Sequence, residues 1–425
     1  MESKILVDTE LAVAQDGFVV RALLKLAGRA PASDTRSPLN LSIVLDRSGS
    51  MTGGKLEAAK EAAALLVRRL SPRDVVSVVA YDDDVYDVAP PAAGDAQADL
   101  TRRIDTIETG GSTNLSGGWL RGREFAAAGK KDGTVSRVLL LTDGLANVGI
   151  TDAQQLTGLC AKAKDDGIAT TTIGFGSDYD EKLLRAMADA GGGGTYYIER
   201  PDQAPSVFEA EIAGLLTLAA QNISITIRPA DATKLVAVRN DYPTQQQPDG
   251  LRVSMGDLYA REPKTLLIEF FVPGIAETPE ASLATITIDA HVLTDGGGVE
   301  KREITLTVTS PLAAAGHQEP EVRKEMLLAD AASVREEALH RRERGDHLGA
   351  SGILLSSVRH MRESAFATDE NIAEHIAELS ALGRKFAARK VSAADAKYMA
   401  QRVYNERRKA KSYDDLIKRK PSDGE

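Results

Sequence analysis

The sequence predicts an α/β class: a doubly wound, mostly parallel six-stranded sheet, inserted in an antiparallel β-sandwich and followed by a C-terminal α-helical bundle. Three successive textures in the 425-residue chain predict it. From 39 to 217, short apolar strands alternate with amphipathic helical stretches. From 218 to 311, strands follow one another directly with period-two alternation. From 312 to 425 the periodicity is helical. A chain of this length also exceeds one ordinary core, which agrees with several domains.

In the first texture the strands read "LNLSIVLD", "DVVSVVAY", "VYDVAPP", "RVLLLTD", "ATTTIGFG" and "TYYIER". Helical patterns such as "KLEAAKEAAALLVRRL", "DAQQLTGLCAKAKDDG" and "DEKLLRAMADAGG" lie between them. Apolar strands separated by amphipathic helices imply a sheet covered on both faces. The run "GGGG" at 191–194 ends a helical pattern and lacks the Lys-Ser/Thr of a phosphate loop, so it reads as punctuation.

The second texture contains "NISITIRP", "TKLVAVRN", "GLRVSMGDL", "KTLLIEFFVP", "SLATITIDAHVL" and "KREITLTVTSP". Asp249-Gly250 and the run Asp295-Gly296-Gly297-Gly298 are hairpin signals between them. Residues 1–38 add two strands of the same kind, "KILVDTELAV" and "FVVRALLKL", before the linker-like "GRAPASDTRSP". A sandwich built from both flanks, with 39–217 inserted into it, is the economical arrangement. In the third texture Leu327, Ala331, Val334 and Ala338 form a helical stripe after Pro320, and Gly345 marks a helix stop. Further helices are expected near 369–389 and 393–410. The first helix pair resembles a tetratricopeptide-like hairpin, but one hairpin is not an array, and a small bundle is expected.

Composition excludes several functions. A net charge of −10 argues against nucleic acid as the main partner. The basic stretch from Arg402 to Lys420 also carries Glu406, Asp414 and Asp415, which suits a solvated helix face. All six histidines lie at 291 or beyond and none forms H-E-x-x-H, so a zinc-protease site has no ligands. Cys160 is the single cysteine, which excludes internal disulfides and fits a reducing cytoplasm. It reads as a small apolar helix residue. No apolar run reaches the ~20 residues of a membrane helix. The opening "MESKILVDTELAV" has no basic flank before an apolar run, so no secretory signal is expected.

The stretch "DRSGS" (46–50) ends a strand with a carboxylate followed by alternating serines. Taken singly, Asp46 can cap a turn whose backbone Ser48 and Ser50 satisfy. A hydrolase serine would need a G-x-S-x-G elbow and a nearby base, and neither is present. An aspartyl phosphatase would need a second carboxylate where Ser48 stands. A metal cradle is better supplied: a strand-end carboxylate and two hydroxyls present three oxygens, and magnesium takes six at ~2.1 Å. Other loops must then contribute. Asp143 ends "RVLLLTD", and Thr113 lies in the glycine-rich "ETGGSTNLSGG" before a helix. In a doubly wound sheet such loops gather at the topological switch point.

The set D-x-S-x-S, a loop threonine and a strand-end T-D-G resembles the metal-ion-dependent adhesion site of von Willebrand factor A domains. Carried over by position, it gives Asp46, Ser48, Ser50, Thr113 and Asp143. The stretches "LLTDGLANVGITD", "TIGFGSDYDEKLLRAMADAGGGGTYYI" and "KLEAAKEAAALL" resemble the bacterial branch, in the group that includes Ca-activated chloride channel-like and inter-alpha-trypsin-inhibitor-like members. The likeness covers about 39–217. It implies that both serines bind the ion directly, that the aspartates act directly or through water, and that the threonine joins when a ligand is engaged. It further implies Mg²⁺, with Ca²⁺ or Mn²⁺ as replacements, and an open position that accepts an Asp or Glu carboxylate from a protein partner. A non-enzymatic binding module follows, with no nucleic acid and no membrane span. The alternative is a non-catalytic subunit working with an AAA+ ATPase, as in chelatase- or MoxR-like machines. Around the site, Arg47 is expected to point to solvent. Trp119 is expected to pack the helix after the threonine loop, and Asp82-Asp83-Asp84 to form a solvated hairpin tip.

Overall fold

The computed structural model of the protein describes residues 1–9, 17–29, 36–176, 179–231, 233–260, 263–273, 280–294, 298–311 and 318–408. Two strands come first, β1 (Glu2–Thr9) and β2 (Phe18–Ala27). The α/β region follows as β3 (Leu39–Asp46), α1 (Lys55–Arg69), β4 (Val75–Tyr81), β5 (Val85–Ala93), α2 (Gln97–Asp105) and α3 (Leu115–Gly129). It continues through β6 (Val135–Thr142), α4 (Ala153–Asp165), β7 (Ile168–Phe175), α5 (Glu181–Gly191), β8 (Gly192–Ile198) and α6 (Ala204–Leu216).

These strands form one six-stranded sheet in the order β5-β4-β3-β6-β7-β8. All neighbours are parallel except β5, which runs antiparallel to β4. β3, β6 and β7 are buried at every position, because helices cover both faces and leave no side that a polar residue could turn to water. On one face Leu41, Ile43 and Leu45 pack with Leu66 and Val67 of α1 and Phe208 of α6. On the other, Val44, Val79 and Leu140 pack with Trp119 of α3, Cys160 of α4 and Leu184 of α5. Trp119 is buried as expected, and its indole N–H donates to Thr170 Oγ1 at 3.1 Å.

Cys160 is fully buried, and burial pushes its thiol up to about 12. At pH 8 the thiolate fraction is then about one in ten thousand. Iodoacetamide is expected to leave the folded chain unlabelled under conditions that alkylate it fully in urea; rapid native labelling, read by mass spectrometry, would contradict this packing.

The chain continues through β9 (Leu218–Pro229), β10 (Lys234–Val238), β11 (Thr244–Gln247), β12 (Gly250–Tyr259), β13 (Lys264–Val272), β14 (Glu280–Leu293) and β15 (Val299–Pro311). They make two antiparallel sheets, β1-β2-β13-β10 and β11-β12-β9-β14-β15. β2 pairs with β13 from Lys264↔Leu26 to Val272↔Phe18, so strands from before and after the α/β region share one sheet. Apolar side chains of both sheets, including Val20, Leu24, Ile225, Ile268 and Ile286, belong to one buried cluster. The sequence pattern missed β11. Its "TQQQ" carries no apolar alternation, and it forms an edge by pairing with β12 across the Asp249-Gly250 turn. Residues 295–297 of the second hairpin signal lie outside the described residues.

Four helices close the described chain: α7 (Pro320–Glu343), α8 (His347–Glu363), α9 (Glu370–Ala387) and α10 (Ala393–Arg408). Pro320 stands in the first turn of α7, and Gly345 follows its end at φ 78°. Leu327, Ala331 and Ala338 join Leu354, Leu379 and Phe386 in one core. α10 docks on the α/β region: Tyr404 donates to Asp189 Oδ1 at 2.6 Å, and Arg408 pairs with the same carboxylate. The described part of the basic stretch is engaged in ion pairs, with Arg402 on Glu378 and Arg407 on Glu336. The remainder, from 409 onward, lies outside the described residues. The glycine run is more than a helix ending. Gly191 closes α5, and Gly192–Gly194 open β8, where a Cβ on Gly193 would lie 2.1 Å from Thr170 O. Among the described residues no helix is long and apolar enough to cross a membrane.

Candidate metal centre

β3 and β6 are adjacent parallel strands at the middle of the sheet, and the chain leaves them on opposite sides. Their carboxyl ends therefore open a crevice with helices diverging on either side. Asp46 is the last residue of β3, and Asp143 follows the last residue of β6. After Asp46 the chain turns sharply through a 3₁₀ turn at Gly49–Met51, with Met51 fully buried as its anchor. The Thr113 loop is laced to this turn. Gly49 N donates to Gly111 O at 2.8 Å, and Gly110 N donates to Arg47 O at 2.7 Å.

The five expected residues come together. Ser48 Oγ and Ser50 Oγ are 3.1 Å apart, and Ser50 donates to Asp143 Oδ1 at 2.6 Å. Thr113 reaches the same space: a Cβ on Gly144 would lie 3.1 Å from Thr113 Oγ1 and 3.5 Å from Ser50 Oγ. Asp46 and Asp143 are completely buried, Ser48 and Thr113 nearly so, and Ser50 is exposed. The cluster thus has a closed floor and an open mouth at Ser50.

Asp46 is held from two sides. Ser48 N donates to its Oδ1 at 2.8 Å, and Thr142 Oγ1 donates to its Oδ2 at 2.6 Å. Burial raises its pKa above the usual carboxylate range and the charge of Asp143 adds to the rise, against hydrogen bonds from Ser48 and Thr142 that lower it. An anion is costly at this position unless a cation stands near it.

The donor set fits a hard divalent cation. Oxygens at adjacent corners of an octahedron with ~2.1 Å bonds are roughly 3.0 Å apart. The two serine hydroxyls have nearly that spacing, and Asp143 lies beside them. Among the described residues no three His, Cys, Asp or Glu side chains are placed to share an ion. An ion held here would take part of its shell from hydroxyls, a donor set nearer to that of Mg²⁺, Ca²⁺ or Mn²⁺ than to that of zinc. With both of its oxygens accepting hydrogen bonds, Asp46 suits the layer behind the ion, where it orients Ser48 and adds negative charge.

Two expectations for the surroundings are overturned. Asp82 is no solvated tip: it is 4% exposed, and its Oδ2 stands 3.0 Å from Arg47 Nε. Asp83 and Asp84 are exposed, yet Asp83 Oδ2 accepts from Ser112 N at 3.0 Å, and Asp82 O accepts from Asn114 N at 2.8 Å. The acidic run is the shelf on which the threonine loop rests. Gly110 and Gly111 let the loop sit this close, because a Cβ on either would fall within 2 Å of the Asp82 or Asp83 carboxylate and displace it. Arg47 likewise does not point freely to solvent, since its guanidinium lies over the Tyr86 ring, 4.5 Å from the centroid. The two errors have one cause: each charge finds its partner on a different loop, which no local pattern encodes. Sequence reasoning also missed Thr142, Asn147 and Lys55. Asn147 Oδ1 accepts from Thr113 N at 2.9 Å, and Lys55 Nζ donates to Asp143 Oδ2 at 2.5 Å.

A family model described as von Willebrand factor type A domain matches residues 40–210. Similar curated proteins include sll0103 of Synechocystis sp. (strain ATCC 27184 / PCC 6803 / Kazusa), 31% identical over 258 residues, or 59% of this chain and 61% of that one. YfbK of Escherichia coli (strain K12) is 29% identical over 262 residues, 60% of this chain and 46% of its own. The chain therefore spans about half to three fifths of the length of these relatives. Inter-alpha-trypsin inhibitor heavy chain H4 of Homo sapiens is 28% identical over 172 residues, which are 39% of this chain and 18% of that one. Among solved structures, a von Willebrand factor type A protein from Catenulispora acidiphila superposes with a TM-score of 0.65 at 17% identity, over 90% of this chain and 96% of that one. The ArnB paralog VWA2 from Sulfolobus acidocaldarius gives 0.59 at 17% identity, over 96% and 97%. At such identities the structural likeness concerns the fold.

Proposed function

We propose, from the premise that residues 40–210 form a von Willebrand factor type A domain, that Asp46, Ser48, Ser50, Thr113 and Asp143 hold a divalent cation through which the chain binds a protein partner. The observation that carries this reading is the convergence of two hydroxyls at octahedral spacing on a buried carboxylate, open on one side. Mg²⁺ is the first choice, and Ca²⁺ or Mn²⁺ suit the same oxygens. The ion would supply an electrophilic corner for an Asp or Glu of the partner. Asp46 and Asp143 would offset the two charges of the ion, and the partner carboxylate would bind by direct contact with the ion at its open corner. Leu145 is 56% exposed two residues after Asp143 and offers the partner an apolar contact at the rim.

In this reading the protein is a cytoplasmic, non-enzymatic binding module. Residues 1–38 and 218–311 form one β-sandwich, with 39–217 inserted into it and 312–425 appended as a helical bundle and basic tail. The shared sheet of β2 and β13 and the common apolar cluster support that division. The recognition step is tested by co-precipitation from cell extract in Mg²⁺ and in EDTA, with Asp46→Ala as control. A protein retained by the unaltered chain in Mg²⁺, and lost in the other two conditions, is expected. The same proteins retained in all three would contradict the reading.

A further inference from the structure

Lys55 is the first residue of α1, preceded by Gly53 and Gly54 at φ 73° and 91°. A cation at a helix N-terminus faces the positive end of the dipole, where an acidic residue would be favoured. The ammonium instead reaches back into the crevice. Its Nζ donates to Asp143 Oδ2 at 2.5 Å and to Ser50 O at 3.2 Å. Asp143 is completely buried, with Lys55 on one carboxylate oxygen and the Ser50 hydroxyl on the other. The lysine side chain is 26% exposed, so it enters from solvent and has a way out. Gly53 and Gly54, just before it, have open space around them, and a Cβ on Gly176 would lie 3.7 Å from Nζ.

We propose that Lys55 is a built-in cation for the crevice, neutralising Asp143 until a divalent ion arrives and leaving the site when it does. The inference rests on the metal-site reading above and adds how that site is regulated. A buried carboxylate needs a counter-charge whether or not metal is present, and the ammonium supplies it. Once a divalent ion sits at Asp143, an ammonium at the same carboxylate is repelled at close range and swings to solvent. Metal binding therefore competes with an internal ligand. The apparent affinity is lower than the oxygen set alone would give, so the site loads only when the free ion, or an ion together with a partner carboxylate, overcomes Lys55.

The test uses the full chain and MgCl₂. In titration calorimetry Lys55→Met is expected to bind Mg²⁺ about tenfold more tightly than the unaltered chain, and Lys55→Met combined with Asp46→Ala is expected not to bind. In EDTA the Lys55→Met chain should melt lower than the unaltered chain, and Mg²⁺ should remove the difference. A readout without mutation is amine acylation followed by mass spectrometry, in which Lys55 labelling in the unaltered chain should rise on adding Mg²⁺. Equal or weaker Mg²⁺ binding by Lys55→Met, or labelling that Mg²⁺ leaves unchanged, would overturn the proposal while leaving the metal site standing. If neither the unaltered chain nor Lys55→Met takes up Mg²⁺, the metal-site reading fails and this inference fails with it.

Discussion

Replacing Arg137 by methionine is expected to destabilise the folded chain by about 3–5 kcal/mol. Arg137 lies on β6 and is completely buried. Its Nη1 donates to Glu211 Oε1 of α6 at 3.0 Å and to Thr171 Oγ1 at 3.1 Å, and its Nη2 pairs with Asp257 of β12. Glu211 and Asp257 are 1% and 5% exposed, so methionine would take from both buried carboxylates the guanidinium they contact. Glu211 keeps the hydroxyls of Thr171 and Tyr196, at 2.8 and 2.6 Å, but hydroxyls do not balance its charge. The cluster also joins the α/β sheet to the flanking five-stranded sheet, so the loss should loosen the junction between them. Urea unfolding followed by circular dichroism measures the effect. Adding Glu211→Gln and Asp257→Asn to the same chain should recover most of the loss, because it removes the stranded charges. A single-variant loss below about 1 kcal/mol would mean that water or a shifted side chain already serves these carboxylates.

Asp46→Ala is expected to abolish the stabilisation that Mg²⁺ confers while the fold persists. The alanine frees Ser48 N and Thr142 Oγ1, a cost of about 1–3 kcal/mol for unsatisfied buried groups. It also removes an anion whose ionised form is disfavoured by burial, so the net change without metal should be small. With Mg²⁺ at a hundredfold excess over its dissociation constant, the unaltered chain should gain about 2.7 kcal/mol. Scanning calorimetry should therefore show a higher melting temperature on adding Mg²⁺ to the unaltered chain and no change in the variant. A parallel rise in both would place the binding elsewhere.

The architecture was largely legible because its signals are local. Fully buried β3, β6 and β7 appear as short stretches rich in apolar and β-branched residues, and α1, α4 and α5 as amphipathic stretches between them. β11 escaped because its glutamines carry no periodicity and its place is set by pairing alone. At the crevice, Asp46, Ser48, Ser50, Thr113 and Asp143 came as a set from the resemblance to the metal-ion-dependent adhesion site, and local pattern alone placed each only at a strand end or in a turn. Their supports were not legible. Asp82 looked like a solvated tip until Arg47 and the threonine loop folded over it, and Lys55 sat in an ordinary helix opening. Arg137 passed unremarked as the first letter of "RVLLLTD", because its two carboxylates come from 74 and 120 residues farther along. Long-range ion pairs leave no trace in spacing, and at this crevice they decide how the site is held.

The most direct test of the central claim is titration calorimetry of the full chain with Mg²⁺, beside Asp46→Ala. The account predicts one ion per chain for the unaltered protein and no binding heat for the variant, with both giving the same circular dichroism spectrum. Equal binding by the two, or no uptake of Mg²⁺, Ca²⁺ or Mn²⁺ by the unaltered chain, would contradict it.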